Sequence, residues 1–567
     1  MDSLFPYSDV QYFVAAKLCF FLFIELALIG IYRHWKLTYF LVIGGVLSAV
    51  AYFFFVRHLG LMFWGLQGDE ITIAAMYEMF AHGSLWSDFA YPSLPPFYPP
   101  LFFQVFGLLS RFFDWHGVQI AKVAAFTTIA TYPTAFYWLQ AHFWKKEQLK
   151  ADIPGMVAWF FSAILLFVFT DWDATILKPY ELVSASLTIL WTIFLLYRLW
   201  HQKFGGRDIF IFAVTGGILF MFFYFWFCLA AIAIALFHLF YQRVPGRHYA
   251  ILAAVGCGML LVAVPFWFPL AQSYARAGSE NWQFGFLSLS SIATHGPALV
   301  FSVRGLLMLF ALATLLVYRN IFYVRVLLSF FVSSYVWQVM GMVTILLFAT
   351  PIQEVKGFSF FQHAILALAG AYGIERLWGF LTSRYPSARW VPAIPIGVTL
   401  LFATQLFFGF FVDDPVAQRT RLIARSPRAG VLPLVDVLRA RDEHVLTLHS
   451  GITELYAFMP VNTFVYYNMH NSHPAAHFSE RLALVEALAS AKDSAEFFHL
   501  TVENPFGSIG RFIFFNTSGD TYPLYFHVDN FPNQSKEYVV RIPKRLLNSA
   551  WFERVYESDQ FVVFEPQ

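Results

Sequence analysis

The chain has 567 residues, of which 59% are hydrophobic, 13% are charged and 69 are Phe; a water-soluble domain carries roughly twice that share of charge. A soluble globular protein is therefore excluded, and a formal net charge of +2 points to no nucleic acid or other polyanionic partner. Cys19, Cys228 and Cys257 all lie in apolar runs, where they read as small hydrophobes and not as a disulfide or metal framework.

The start, MDSLFPYSD, lacks the basic region and small-residue cleavage site of a signal peptide, so the first apolar stretch is expected to remain as a membrane helix. With about 20 apolar residues needed per span, the sequence predicts some twelve: 11–31, 37–56, 117–143, 154–170, 180–197, 209–224, 225–242, 248–268, 297–318, 324–349, 358–378 and 390–412. The run 209–242 reads as two short helices hinged near Tyr224 to Trp226. Alternate loops are basic: Arg33 and Lys36; Lys145, Lys146 and Lys150; Arg198, Lys203 and Arg207; Arg243 and Arg247; Arg319 and Arg325; Arg376, Arg384 and Arg389. These are expected to be cytoplasmic, which turns the acid-rich loops and both termini outward.

The first acidic loop, 57–116, is too long for a turn and too apolar to be freely solvated. Its segments ITIAAMYEMFAHG and PLFFQVFGLLSRFF are expected to be helices lying on the membrane surface. At its start stands Gly68-Asp69-Glu70. Carboxylates at a membrane-to-loop junction are costly and hence functional candidates; the bland reading makes Asp69 an N-cap with Glu70 in the first turn.

Further along, Asp171 and Asp173 are separated by one residue and could share a divalent cation (Mg, Mn or Ca) through hard oxygen ligands; exposed acids near a helix end are the plain alternative. Cations on the outer side are few. For a lipid phosphate the candidates are Lys356, then Lys178, Arg276 and His363, with snorkelling the alternative for Lys356 and an ordinary intramembrane polar role for His363. Beyond residue 413 charge density becomes ordinary, and HVLTLHS, FVYYN, RFIFFN and FVVFEP read as strands beside the amphipathic ERLALVEALASA. This is expected to be a soluble α/β domain, 413–567, on the outer side. In it His470, His473 and His477 cluster, a weak zinc pattern without Cys or regular ligand spacing.

The acidic residue in the first large outer loop, the helices within that loop, the many spans and the outer domain resemble the GT-C superfamily of integral membrane glycosyltransferases. GDEITIAAMYEMFAHG with YPPLFF, EVKGFSFFQH, and PVNTFVYYNMHNSHPAAHFSERLALVEALA are similar to the arabinofuranosyltransferases that begin arabinan assembly on mycobacterial galactan. The resemblance implies a polytopic helical fold, a polyprenyl-phosphate donor of D-arabinofuranose, a glycan or pilin-like protein acceptor, and a bacterial inner membrane with the working face toward the periplasm. It assigns Asp69 the part of general base, with Glu70 as its neighbour or substitute. One departure is that two spans, and not one, precede the acidic loop. Independently of any family, a lipid phosphate is already a leaving group, so one base and one or two cations suffice for an inverting displacement. A secondary transporter is the alternative from another class, but transporters favour paired repeats and a midplane site.

Overall fold

The computed structural model describes residues 7–144, 153–170, 172–201, 204–241, 245–281, 296, 302–385, 421–441, 445–531 and 534–567. The predicted span 390–412, the basic residues Lys145, Lys146, Lys150, Lys203, Arg243 and Arg389, and the domain boundary near 413 lie outside the described residues.

The other eleven predicted spans each meet a helix. They are α1 (Tyr7–Tyr32), α2 (Leu37–Val56), α5 (Gly117–Trp144), α6 (Met156–Thr170), α8 (Pro179–His201), α9 (Gly206–Phe223), α10 (Phe225–Tyr241), α11 (Gly246–Val262), α13 (Val303–Val317), α14 (Phe322–Phe348) and α15 (Phe360–Arg384). Between them lie α3 (Asp69–His82), α4 (Leu101–Ser110), α7 (Trp172–Leu177) and α12 (Val264–Ala277). Among the described residues, six helices are long and apolar enough to cross a membrane, or seven if α11 and α12 count as one broken span. That pair bends by 78° where the predicted span 248–268 runs into Pro265, a residue that starts a helix more readily than it continues one. Helices α9 and α10 part at Tyr224, where the hinge was expected. Tight packing uses small residues: a Cβ on Gly45 of α2 would stand 2.5 Å from the Ala130 carbonyl oxygen of α5.

Helix α3 departs from expectation. In place of an interfacial helix with one wet face, every residue from Glu70 to Ala81 is buried. The reason is its ceiling, because the C-terminal domain packs on α3 through the short helix Leu455–Phe458 while α4 and α5 cover the other sides.

The C-terminal domain holds a four-stranded sheet in the order β1-β2-β6-β5, from β1 (Thr447–His449), β2 (Arg511–Phe515), β5 (Phe552–Glu557) and β6 (Phe561–Pro566). Strands β1 and β2 are parallel and the other pairs antiparallel. A separate hairpin joins β3 (Thr521–Asn530) to β4 (Gln534–Pro543), and helices 431–439, 478–489 and 494–502 complete the α/β unit. The expected strand FVYYN is a correction: it makes single bridges at Thr463 and Asn468 on either side but no ladder. Its Phe464 N–H donates to the Thr447 carbonyl of β1, and its Tyr467 carbonyl accepts from the His527 N–H of β3. The Tyr466 N–H, however, donates to the Tyr91 hydroxyl (2.9 Å), and the adjoining Thr463 N–H to the Ala90 carbonyl (2.9 Å). Both partners belong to the loop after α3, so this segment ties the two domains together.

That docking puts the 57–116 loop and the C-terminal domain together at one end of the helical bundle, and on one side of a membrane they are expected to be labelled alike. Single cysteines at Ser84 and Ser518, both exposed, should both react with an impermeant reagent in intact spheroplasts. Labelling of one without the other contradicts this arrangement, and protection of both turns the molecule over.

Candidate active site

A cavity of about 560 Å³ opens between the helical bundle and the C-terminal domain. Asp69, Lys178 and Lys356 line it with Tyr98, Phe223, Tyr224, Tyr274, Glu280, Glu354, His470 and Asn471. Three of the residues singled out in the sequence therefore meet in one place, although more than a hundred residues separate each from the next.

Asp69 opens α3. The cap position belongs to Gly68, not Asp69, and Gly68 has φ 54° and ψ −129° with no side-chain cap bond. Only glycine takes that conformation without strain. Freed from capping, the half-buried Asp69 side chain reaches Lys178, with 2.6 Å between Oδ2 and Nζ. Glu70, one residue on, is fully buried and faces away from the cavity. Its Oε1 accepts the Trp64 N–H (2.7 Å) and its Oε2 the Leu66 N–H (3.0 Å). It thus fixes the loop that enters α3.

Lys178 is the joint between α7 and α8. Its N–H donates to the Ala174 carbonyl at the end of one helix, and its own carbonyl accepts from Glu181 and Leu182 at the start of the next. Pro179 as the first residue of α8 needs no N–H partner there. The three-residue spacing puts Lys178 and Glu181 on one helical face, with Nζ 3.8 Å from Oε1. Glu181 has no solvent exposure. Lys356 Nζ stands 2.9 Å from both of its oxygens, and 5.0 Å from the Phe223 ring centroid.

Lys356 is carried on the single turn Lys356–Phe358 ahead of α15. That loop is pressed onto α14: the Ser334 hydroxyl donates to the Gly357 carbonyl (3.1 Å), and a Cβ on Gly341 would fall within contact of Glu354. The outcome is a chain of alternating charge, Asp69–Lys178–Glu181–Lys356. Burial alone would push the Asp69 carboxyl up, but the charge and hydrogen bond of Lys178, helped by His470 and Lys356, hold it at about 2. For Lys178, burial pulls down, while Asp69 and Glu181 together drive the ammonium above its ordinary range.

Glu181 is the member of this chain that the sequence did not single out. Its signal was present in KPYE, a carboxylate three residues after a candidate lysine at the head of a span.

The other candidates lie elsewhere. Arg276 is exposed near the end of α12. His363 is 3.5 Å from Arg304 Nη2, within the bundle, and neither Arg276 nor His363 lines the cavity. Asp173 is exposed on α7, and Asp171 lies outside the described residues. Among the described residues no group of three or more His, Cys, Asp or Glu side chains is placed to hold a metal ion. The three clustered histidines separate. His470 faces the cavity, 3.5 Å from Asp529. His473 accepts the Ala475 N–H on Nδ1 and bonds the Pro95 carbonyl through Nε2, and burial lowers its pKa to about 4. His477 Nε2 holds the Ala277 carbonyl at 2.7 Å. The last two therefore fasten the C-terminal domain to the bundle.

Residues 64–408 match the family described as arabinofuranosyltransferase N terminal. No curated protein matches the sequence of this chain. In fold the chain is similar to ArnT from Cupriavidus metallidurans bound to undecaprenyl phosphate, with 12% identity and a TM-score of 0.51 over 93% of this chain and 98% of that one. It also shows likeness to the archaeal oligosaccharyltransferase AglB from Archaeoglobus fulgidus, in complex with an inhibitory peptide and a dolichol-phosphate. There the identity is 13% and the TM-score 0.45, over 84% of this chain and 69% of that one.

The two adjacent carboxylates are expected to fail differently. Glu70→Ala strands two backbone donors in a buried loop and should cost roughly 2–5 kcal/mol of stability, read as a large drop in melting temperature. Asp69→Asn should change stability in a pH-dependent way. The folded pKa of Asp69 is below the unfolded value of about 4, so its pairing with Lys178 stabilises above that pH and is lost as pH falls toward about 2. The stability gap between wild type and Asp69→Asn should accordingly close over that interval; a gap independent of pH would mean that the ion pair is not the source.

Proposed function

The chain belongs to the arabinofuranosyltransferase family, whose pattern spans more than half of it, and we propose that this membrane glycosyltransferase moves a sugar, D-arabinofuranose, from a polyprenyl phosphate to an acceptor hydroxyl. The acceptor is a cell-envelope glycan or a surface protein such as pilin, and the cavity faces the periplasm of a bacterial inner membrane. The observation that carries the reading is the Asp69–Lys178 pair, 2.6 Å apart, lining a cavity that a second lysine, Lys356, also lines.

The reaction is an inverting single displacement. The acceptor oxygen attacks the anomeric carbon, and its proton passes to Asp69. The bond from that carbon to the phosphate oxygen breaks, and the electron pair leaves with the lipid phosphate. Lys178 and Lys356 take the phosphate oxygens as point charges. A carboxylate held at about 2 is a weak base while Lys178 is its partner. A phosphate that draws the Lys178 ammonium away removes that restraint and raises the basicity of Asp69, so donor binding would prepare the base. Glu181 keeps the two ammonium groups a fixed distance apart. Tyr98, Phe223, Tyr224 and Tyr274 offer faces for the sugar ring and the first isoprene units.

Transport is disfavoured by position. Asp69, Lys178 and Lys356 sit at helix ends beneath a folded domain, whereas a transporter site belongs midway along broken helices.

Incubation in nanodiscs with a panel of polyprenyl-phosphate sugars, followed by mass spectrometry, tests the reading. Asp69→Asn should lower single-turnover transfer by about a hundred- to ten-thousand-fold while donor binding persists. Lys356→Ala should weaken donor use strongly, and Lys356→Arg should keep part of it. An active Asn variant removes Asp69 as the base, and equal use of a water-soluble nucleotide sugar rejects the lipid donor.

A further inference from the structure

A second cavity, of about 490 Å³, lies on the opposite side of the loop that enters α3. Its walls are the adjoining ends of α2 and α5: Tyr52, Phe53 and Val56 from one, Val118, Val123 and Phe126 from the other. Phe53 of α2 and Phe126 of α5 are exposed, so the cavity opens sideways beside the apolar surface of α2, a helix long and apolar enough to span. Its polar end carries Arg57, Lys122, His116, Gln119 and Trp115, and no carboxylate lines it among the described residues.

Lys122 is one and a half turns into α5, half-buried, with Nζ donating to the Leu59 carbonyl. That bond uses one of its three N–H donors. Arg57 is exposed at the end of α2, its guanidinium 4.5 Å from the Phe54 ring centroid and bonded to Gln11. Burial and the neighbouring Lys122 charge lower the His116 pKa to about 4, so the imidazole is neutral and the positive charge comes from Arg57 and Lys122. The nearest opposing charge is Glu70, whose oxygens are turned to the Trp64 and Leu66 N–H groups.

We infer that this cavity is a binding site for an anionic phospholipid, distinct from the donor site, with the headgroup phosphate between Arg57 and Lys122 and an acyl chain in the groove between α2 and α5. Arg57 and Lys122 stand at one end of the cavity with no carboxylate among its described lining residues, which suits an anion, and the exposed aromatic wall between α2 and α5 suits an anion that carries hydrocarbon. Trp115 lines the same polar end, and indole rings settle at the headgroup level. Because Lys122 also holds Leu59, the lipid leans on the same loop whose far end Glu70 fixes beside Asp69. The site does not depend on the reaction proposed for the first cavity.

The full-length protein, delipidated in detergent, should be titrated with phosphatidylglycerol and with phosphatidylcholine, and bound lipid counted by native mass spectrometry. One phosphatidylglycerol should bind about tenfold or more tighter than phosphatidylcholine, the scale of one charge-assisted hydrogen bond. The double variant Arg57→Gln and Lys122→Gln should lose that preference while unfolding at nearly the wild-type temperature. Should that variant fail to fold, Val123→Trp keeps both cations and fills the groove, and it should release the lipid. Equal affinity for the two lipids, or a preference that survives both variants, overturns the site. Displacement by inorganic phosphate or glycerol phosphate at the lipid's own concentration overturns the assignment to a lipid.

Discussion

Four charges of alternating sign in one short path, Asp69–Lys178–Glu181–Lys356, set the terms for the rest of the molecule. A lone buried charge costs several kcal/mol even after relaxation, so Glu181, which has no exposure, could not stand where it does without a cation on either side. Glu181, fully buried between two ammonium groups, is the member that cannot be spared. Without it Lys178 and Lys356 would face each other across a low-dielectric gap. The pairing also explains the rigid local architecture: a proline-started helix for Lys178 and Glu181, a glycine-capped helix for Asp69 and a loop pressed onto α14 for Lys356. An ion chain of this kind repays its desolvation only if its distances are held.

The same requirement accounts for the C-terminal domain. Helix α3 is buried on all sides because that domain covers it, and the cover is fastened by particular bonds. The Tyr91 hydroxyl meets Ser472 at 3.0 Å, and Arg481 stacks on Tyr91, Phe464 and Phe506 while donating to the Phe464 and Ala476 carbonyls. Below it, Glu78 joins α3 to the Gly117 N–H (2.6 Å), to His82 and to Arg439 of the C-terminal domain. Helix α3 and its cover are thus one mechanical unit. His470 and Asn471 then form part of the cavity wall, so the site is shared between the domains.

What could be read from the sequence follows from which signals are local. Hydrophobic runs of span length are local, and eleven of the predicted spans meet helices; the bend in one of them falls at Pro265, a residue whose effect is equally local. Asp69, Lys178 and Lys356 were legible because ionisable groups at membrane junctions are rare. Their meeting was not, since it depends on the crossing of α3, α8 and the loop before α15. Glu181 passed as one acid among several because its partner lies 175 residues away. FVYYN has the composition of a strand, yet its Tyr466 N–H goes to the Tyr91 hydroxyl and it reaches β1 and β3 only singly, without a ladder, a tertiary fact that no propensity contains. The β3–β4 hairpin was missed although TYPLYFHVDN alternates apolar and polar residues.

The ion chain also bears on how the proposed transfer manages charge. A glycosyl phosphodiester carries one negative charge, and the lipid phosphate that departs carries close to two at neutral pH. Negative charge therefore grows at the phosphate during the reaction, where two ammonium groups already stand, and interactions that strengthen toward the transition state are those that raise the rate. Meanwhile Asp69 accepts a proton and loses its own negative charge. The loss at Asp69 offsets the gain at the phosphate, so the total charge under the cover is the same before and after transfer. Lys178, bonded to Asp69 in the resting site, is the group through which that exchange passes: it is released by a carboxylate becoming neutral as it is claimed by a phosphate becoming more negative. A site insulated by a buried α3 and a fastened domain could not readily tolerate a net change of charge. It can tolerate one charge moving along a path of fixed, alternating partners.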